Sequence, residues 1–288
     1  MIETLTRKSM VIRPSGRSTD YISPSFGYGC LYNCTYCYMK RHKAVGLDIA
    51  TNTNDILTEI NNHAMFAVDD KPNQTHEKYI TYDISCNEDF ALHAKYHEWQ
   101  KIFQFFKDHP IAMGSFATKY VNKDLLQFNP HEKIRIRFSL MPEEYRQVLE
   151  PNTNTIYERL IAVEKFIDAG YEVHLNFSPV IVHDNWLDKY KELFEVVQYN
   201  ARTYAWDTDA VKAEVIFLTH NKDKHLYNLK NNLTGEDLLW KPDLQEDKIS
   251  QYGGTNIRYK HGLKGEYIEE FKYLHSNIIP WNTIRYIF

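Results

Sequence analysis

Between about residue 20 and residue 220 the sequence alternates strand-like with helix-like stretches, a pattern that few folds accommodate. Residues 21–28, 79–85, 111–118, 134–140, 171–177 and 213–219 are rich in β-branched and aromatic side chains, several alternating with period two. Helical patterns fall between them, over 54–68, 91–107, 122–127, 155–169 and 186–200. Ile156, Leu160, Val163, Phe166 and Ile167 form one apolar stripe, with Gly170 placed to end the helix. Leu187, Tyr190, Leu193, Phe194 and Val197 repeat the spacing. Strands separated by helices predict an α/β fold with a parallel sheet and functional loops at the strand C-termini. A closed barrel of this type takes eight strands, and the repeat stops near residue 220. The expected architecture is therefore an open six-stranded partial (β/α)6 barrel with a C-terminal helix/strand cap. Residues 226–251 are polar and poorly periodic, Tyr252-Gly253-Gly254 signals a turn, and 267–274 and 283–288 read as one helix and one closing strand. The expected division is a barrel over residues 1–220 and an extension, 221–288, packing on it and contributing to substrate binding.

The chain of 288 residues is 43% hydrophobic, enough for a sizeable core, and its formal net charge of −4 does not advertise nucleic-acid binding. Binding to phosphate would have to come from local clusters: Lys40-Arg41-His42-Lys43, Lys133 with Arg135 and Arg137, or Arg258-Tyr259-Lys260-His261 with Lys264. Solvated faces are the plainer explanation of each. No run of about 18 apolar residues exists, so no membrane span is expected, and the N-terminus lacks the apolar segment of a secretory signal. Three of the four cysteines crowd into positions 30–37, which is no disulfide framework and points to a reducing, cytoplasmic setting.

Those three cysteines carry the strongest chemical signal. Cys30, Cys34 and Cys37 form C-x3-C-x2-C directly after the first strand-like stretch. Three thiolates on one loop can ligate three irons of a [4Fe–4S] cubane and leave the fourth open. That iron can bind the amino and carboxylate groups of S-adenosylmethionine and pass one electron to its sulfonium, which makes radical S-adenosylmethionine chemistry the leading reading. Zinc competes, with His42 as a fourth ligand, but structural zinc sites usually use two well-separated ligand pairs. The fourth cysteine, Cys86, ends the second strand-like stretch, where a βα architecture places its loops. Position alone leaves it open whether Cys86 is a small buried hydrophobe or a reactive group.

An ordered series of short motifs extends the signal: Gly29-Cys30-x3-Cys34-x-Tyr36-Cys37-Tyr38, Ser85-Cys86, Thr118-Lys119-Tyr120, Arg137-Phe138-Ser139-Leu140, Glu150-Pro151-x-Thr153, Ala169-Gly170-Tyr171, Ser178-Pro179-Val180 with Trp186, and Leu218-Thr219-His220. From about residue 20 to the end, the chain resembles the spore photoproduct lyase family of radical S-adenosylmethionine enzymes. The resemblance implies a lyase that repairs a thymine dimer-type photoproduct in DNA by C–C bond cleavage. It implies a [4Fe–4S] cluster on Cys30, Cys34 and Cys37, with Cys86 as hydrogen-atom donor and Tyr36 and Tyr38 as radical-relay residues. Tyr38, Lys119, Ser139 and Ser178 become candidates for contact with S-adenosylmethionine, and so does Glu88. The implied partners are DNA or another nucleobase-containing substrate and an electron donor such as a flavodoxin or ferredoxin, with no membrane. The sequence departs from the family at Glu88, where a small hydroxyl residue is expected, at Gln251, where a basic residue is expected, and in lacking an N-terminal extension. A radical enzyme acting on another modified nucleobase, with Glu88 taking a substrate amino group, and a non-enzymatic zinc-binding module are the alternatives.

Overall fold

The structure is a computed structural model that describes residues 1–66, 71–73, 75–249 and 255–288. Gln251 and the turn signalled by Tyr252-Gly253-Gly254 lie outside the described residues, as does the side chain of Arg41. The chain forms two compact units, each assembled from separated segments. The first is Met1–Leu31, Lys43–Phe138 and Ala162–His174, and the second is Tyr32–His42, Ser139–Ile161 and Leu175–Phe288.

In the first unit, β1 (Arg13–Pro14), β2 (Tyr21–Ile22), β3 (Ile80–Asp83), β4 (Ala112–Thr118) and β5 (Ile134–Leu140) are hydrogen-bonded in chain order. β2 to β5 are parallel and β1 is antiparallel, with Ile22 opposite Asp83, Asp83 opposite Ser115 and Ala117 opposite Arg137. Every residue of β5 is buried, arginines included, because a parallel strand is covered on both faces. Two helices pack here: α1 (Thr53–Phe66) and α2 (Trp99–Asp108). Trp99, Ile102, Phe103 and Phe106 form the buried stripe of α2, and Phe103 and Phe116 stack with Phe90.

The second unit carries β6 (Glu172–Val180), β7 (Lys212–Phe217) and β8 (Ile284–Ile287), ordered β6-β7-β8, with β7 and β8 parallel. Strands β5 and β6 each begin in the first unit and end in the second. Helix α3 (Ile156–Asp168) likewise runs across segments of both units, and α4 (Trp186–Thr203), α5 (Lys222–Lys230) and α6 (His261–Ile278) belong to the second. Phe194 and Tyr190 of α4 meet Phe271 of α6 edge-on at 5.2 and 5.5 Å. The polar segment after residue 226 is more structured than its weak periodicity suggests. Gln245–Ile249 and Thr255–Tyr259 pair as antiparallel strands, and Thr219–His220 joins their sheet.

This is an α/β fold whose main sheet has eight strands among the described residues, two more than the expected six. β1 adds an edge strand, where Pro14 removes no needed donor, and β8 adds another beside β7. The first expected strand, 21–28, also divides. Tyr21–Ile22 stays in the main sheet, whereas Gly27–Gly29 pairs antiparallel with Leu47–Ala50, itself parallel to Ile2–Leu5. Ser23-Pro24 between the halves explains the break, since Pro24 cannot donate to a ladder. No helix among the described residues is long and apolar enough to cross a membrane.

The basic cluster on β5 is not a phosphate-binding surface. Lys133 is buried, its ammonium donates to the His109 carbonyl and lies 3.9 Å from the Tyr79 ring centroid, and desolvation lowers its pKa. Arg135 pairs with Glu172 at 2.9 Å and Arg137 with Asp83 at 2.8 Å.

Candidate functional site

Gly29 has φ +107°, a conformation that glycine adopts without penalty, and it turns the chain from its short strand into the cysteine segment. Among the four cysteines, Cys34 is buried, and Cys30, Cys37 and Cys86 are partly exposed. Cys30 belongs to the first unit, with Cys34 and Cys37 following in the second.

In the first unit the entry to the cysteine segment is tied to the loop that carries Cys86. The Gly29 N–H donates to the Asn87 carbonyl at 3.0 Å, and the Asn87 side chain donates to Ser25 Oγ at 2.5 Å. The Cys86 loop is itself held at several points. The Ser85 N–H donates to Asp83 Oδ1 at 2.9 Å, Ser85 Oγ donates to the Glu88 carbonyl at 2.8 Å, and Phe90 N–H donates to Ser85 Oγ at 3.1 Å. Asp89 caps the helix Phe90–His93, and its carboxylate also accepts from Thr118 Oγ1 at 2.6 Å and from the Lys119 N–H at 2.8 Å. Lys119 thus follows the end of β4 on a fixed backbone, half-buried.

Glu88 is enclosed. Its Oε2 accepts from His93 Nδ1 and His97 Nε2, each at 2.9 Å, and its side chain is 1% exposed. The Leu31 N–H donates to His93 Nε2 at 3.3 Å, so His93 carries its proton on Nδ1 and relays the carboxylate's hold to the residue after Cys30. A Cβ on Gly27 would stand 2.4 Å from the Glu88 oxygens, so only glycine admits the carboxylate there. Burial opposes ionisation of Glu88, but His97 and His93 outweigh it and bring its pKa down to about 2. A depressed carboxylate pKa stabilises the fold fully above its ordinary value of 4.5, and that stability is lost as pH falls from there toward 2. Glu88→Gln is therefore expected to flatten acid unfolding monitored by circular dichroism between those values. An unchanged acid limb in the variant would remove Glu88 from the account.

In the second unit the segment is pinned from two sides. The Thr35 N–H donates to the Leu149 carbonyl at 2.9 Å, and Asn228 Nδ2 donates to the Thr35 carbonyl at 3.0 Å. Asn228 Nδ2 also donates to Glu236 Oε2 at 2.6 Å, and Glu236 Oε1 accepts from His220 Nε2 and His225 Nδ1 at 2.7 Å each. The Tyr36 hydroxyl donates to Glu150 Oε1. Burial raises the pKa of the Tyr36 phenol well above its ordinary value, reinforced by Glu150 and the cysteines, so it stays protonated. Glu150 Oε2 accepts from Arg159 Nη2 at 2.8 Å, and both side chains are wholly buried. Tyr38 is 48% exposed, with its ring edge-on to His42 at 6.2 Å. Ser139 is buried, with Oγ 3.5 Å from Asn176 Nδ2, and Ser178 is half-buried near the end of β6.

Four features escape sequence reading: the His93/His97 pair, the Arg159–Glu150–Tyr36 chain, Asn228 and Lys224. The four-residue spacing of His93 and His97 and the Glu150-Pro151-x-Thr153 motif were visible signals. Nothing local marks Lys224, or Asn228 in the polar stretch.

The chain matches the family model described as spore photoproduct lyase over residues 3–288. It is 27% identical over 193 residues to the spore photoproduct lyase of Bacillus subtilis (strain 168), a match covering 66% of this chain and 54% of that protein. The chain thus spans about half the length of that relative. With the spore photoproduct lyase of Clostridium acetobutylicum it shares 24% identity over 286 residues, covering 98% of this chain and 80% of the other. In fold it superposes on a solved spore photoproduct lyase complexed with dinucleoside spore photoproduct, with TM-score 0.87 and 21% identity over 100% of this chain and 82% of that one. A doubly substituted form with bound AdoMet and the same dinucleoside gives 0.86 at 20% identity, covering 100% and 82%.

Proposed function

Because the chain belongs to the spore photoproduct lyase family, we propose that it is a radical S-adenosylmethionine lyase that repairs a thymine photoproduct in DNA by C–C bond cleavage. The observation that carries this reading is the match over residues 3–288, with Cys30, Cys34 and Cys37 spaced for a cubane. Three thiols within eight positions supply three iron ligands, and the donor set leaves one iron for S-adenosylmethionine. Once bound, the two groups together supply a one-electron reductant and a hydrogen-abstracting adenosyl radical.

The chain's own residues do the remainder. Cys86 gives its thiol hydrogen atom to a carbon radical on the substrate, and the sulfur left one hydrogen short is refilled from a phenolic O–H. Tyr36 suits that second transfer: its hydroxyl, oriented by Glu150 and kept protonated by burial, can pass proton and electron together to the sulfur as one hydrogen atom, and the phenoxyl radical left behind is refilled with a hydrogen atom from 5′-deoxyadenosine. Tyr38, more exposed, is the second relay residue and a cofactor contact. Lys119, Ser139 and Ser178 are the other cofactor contacts. Glu88 serves the cofactor through His93 and the backbone of Leu31. The βα repeat acts as an open six-stranded partial barrel of residues 1–220, and the extension 221–288 helps hold the substrate. Arg258 and Lys260 there are the candidates for the DNA backbone, giving salt-sensitive affinity. The substrate enters extruded from the duplex, a flavodoxin or ferredoxin supplies the electron, and the setting is cytoplasmic.

The test is anaerobic reconstitution, reduction, and incubation with S-adenosylmethionine and a dinucleotide spore photoproduct. Release of paired thymidines that requires Cys30, Cys34 and Cys37 supports the reading. Formation of 5′-deoxyadenosine without repair refutes the substrate and keeps the radical enzyme, whereas a colourless zinc protein refutes both.

A further inference from the structure

We propose that Lys224 is a buried counter-charge for the iron–sulfur cluster, placed on α5 to favour the cluster's reduced, more negative state. The inference rests on the reading that Cys30, Cys34 and Cys37 hold that cluster. Lys224 is 2% exposed, and its ammonium has no hydrogen-bond partner among the described residues. Long lysine stems normally bury their methylenes and deliver the charge to water; this one does not reach it. The nearest polar feature described for it is the face of the Tyr227 ring, 4.8 Å away, which replaces little of the lost hydration.

The carboxylate of Glu236, which acts on Lys224, is otherwise engaged. Glu236 takes His220 and His225 on Oε1 and Asn228 on Oε2. Lys40 repels the ammonium, and Cys37 and Cys34 attract it. The helix geometry agrees: Asn228, one turn after Lys224 and therefore on the same face of α5, donates to the carbonyl of Thr35 between Cys34 and Tyr36. Lys224 therefore lies on the helix face presented to the cysteine segment, with its ammonium hydrogen-bonded to no carboxylate among the described residues. An unpaired ammonium in that position is costly, and an anionic cluster on the neighbouring thiolates removes the cost. Each electron added to the cluster strengthens the attraction, so the lysine shifts the potential upward, toward easier reduction.

Two variants separate this role from plain packing: Lys224→Met, which keeps the stem, and Lys224→Gln, which keeps polarity. The full chain is melted before and after reconstitution, and the loaded protein is titrated potentiometrically with the reduced cluster followed by electron paramagnetic resonance. Lys224→Met is expected to raise the melting temperature of the cluster-free chain and to reduce the extra stability gained on cluster loading. Both variants are expected to move the midpoint potential to more negative values. A wild-type chain that loads normally beside variants with unchanged potential overturns the role of Lys224 alone. A wild-type chain that takes up no [4Fe–4S] cluster overturns the underlying reading, and this inference with it.

Discussion

Arg159→Met is expected to lower folding stability by about 3–5 kcal/mol, the range for stranding one member of a buried ion pair. Arg159 places Nη1 2.6 Å from the Ser139 carbonyl, Nε 3.1 Å from the Asn154 carbonyl, and Nη2 2.8 Å from Glu150 Oε2, Thr153 Oγ1 and the Asn154 carbonyl. Methionine fills much of the volume and satisfies none of these acceptors. The buried Glu150 carboxylate would lose its guanidinium and would be driven to take up a proton. Adding Glu150→Gln to Arg159→Met should restore part of the loss, because no charge then remains stranded. Urea unfolding of the two single variants and the double variant measures the coupling. A single variant that unfolds at the wild-type midpoint would show the pair to be energetically idle.

The second large effect is on product identity. Cys86→Ala should leave cluster loading and 5′-deoxyadenosine formation intact while repaired dithymine falls to a minor product. Alanine offers no hydrogen weak enough to transfer, so the substrate radical persists until it meets water, reductant or a second substrate. The loop should not collapse, because Ser85, Asn87, Glu88 and Asp89 hold it through their own hydrogen bonds. Mass spectrometry of the products from a deuterated-solvent reaction gives the readout. Wild-type repair with wild-type deuterium incorporation in the alanine variant would remove Cys86 from the mechanism.

Much of this architecture is legible in the sequence because parallel strands are buried on both faces and so read as dense apolar runs. Residues 134–140 match β5 at both ends, and 79–85 and 111–118 enclose β3 and β4. The reading fails where polarity is used internally. The arginines of β5 look like a basic stripe, and only the partners Glu172 and Asp83, brought in by other segments, neutralise them. The stretch after residue 226 lacks apolar periodicity because Asn228, Glu236 and Gln245 are polar residues buried for their bonds. The cysteine segment was legible from spacing alone. Its restraints were not, since His93, Leu149 and Asn228 stand 62, 114 and 193 residues from Leu31 or Thr35.

The tie between Gly29 and Asn87, with the path from Glu88 through His93 to Leu31, has a bearing on how such an enzyme could change its chemistry. The loop that would be rewritten to accept a new lesion is the same one that braces Cys30, the first of the proposed iron ligands. Adaptation at positions 86–89 therefore carries a toll in metal uptake, and selection for new substrates would have to find changes that keep the Asn87 carbonyl and the Glu88–His93 bond in place. Lineages that drift here should diversify first in segments remote from that brace. A designer seeking altered specificity would do well to leave these four residues alone and begin at the C-terminal hairpin.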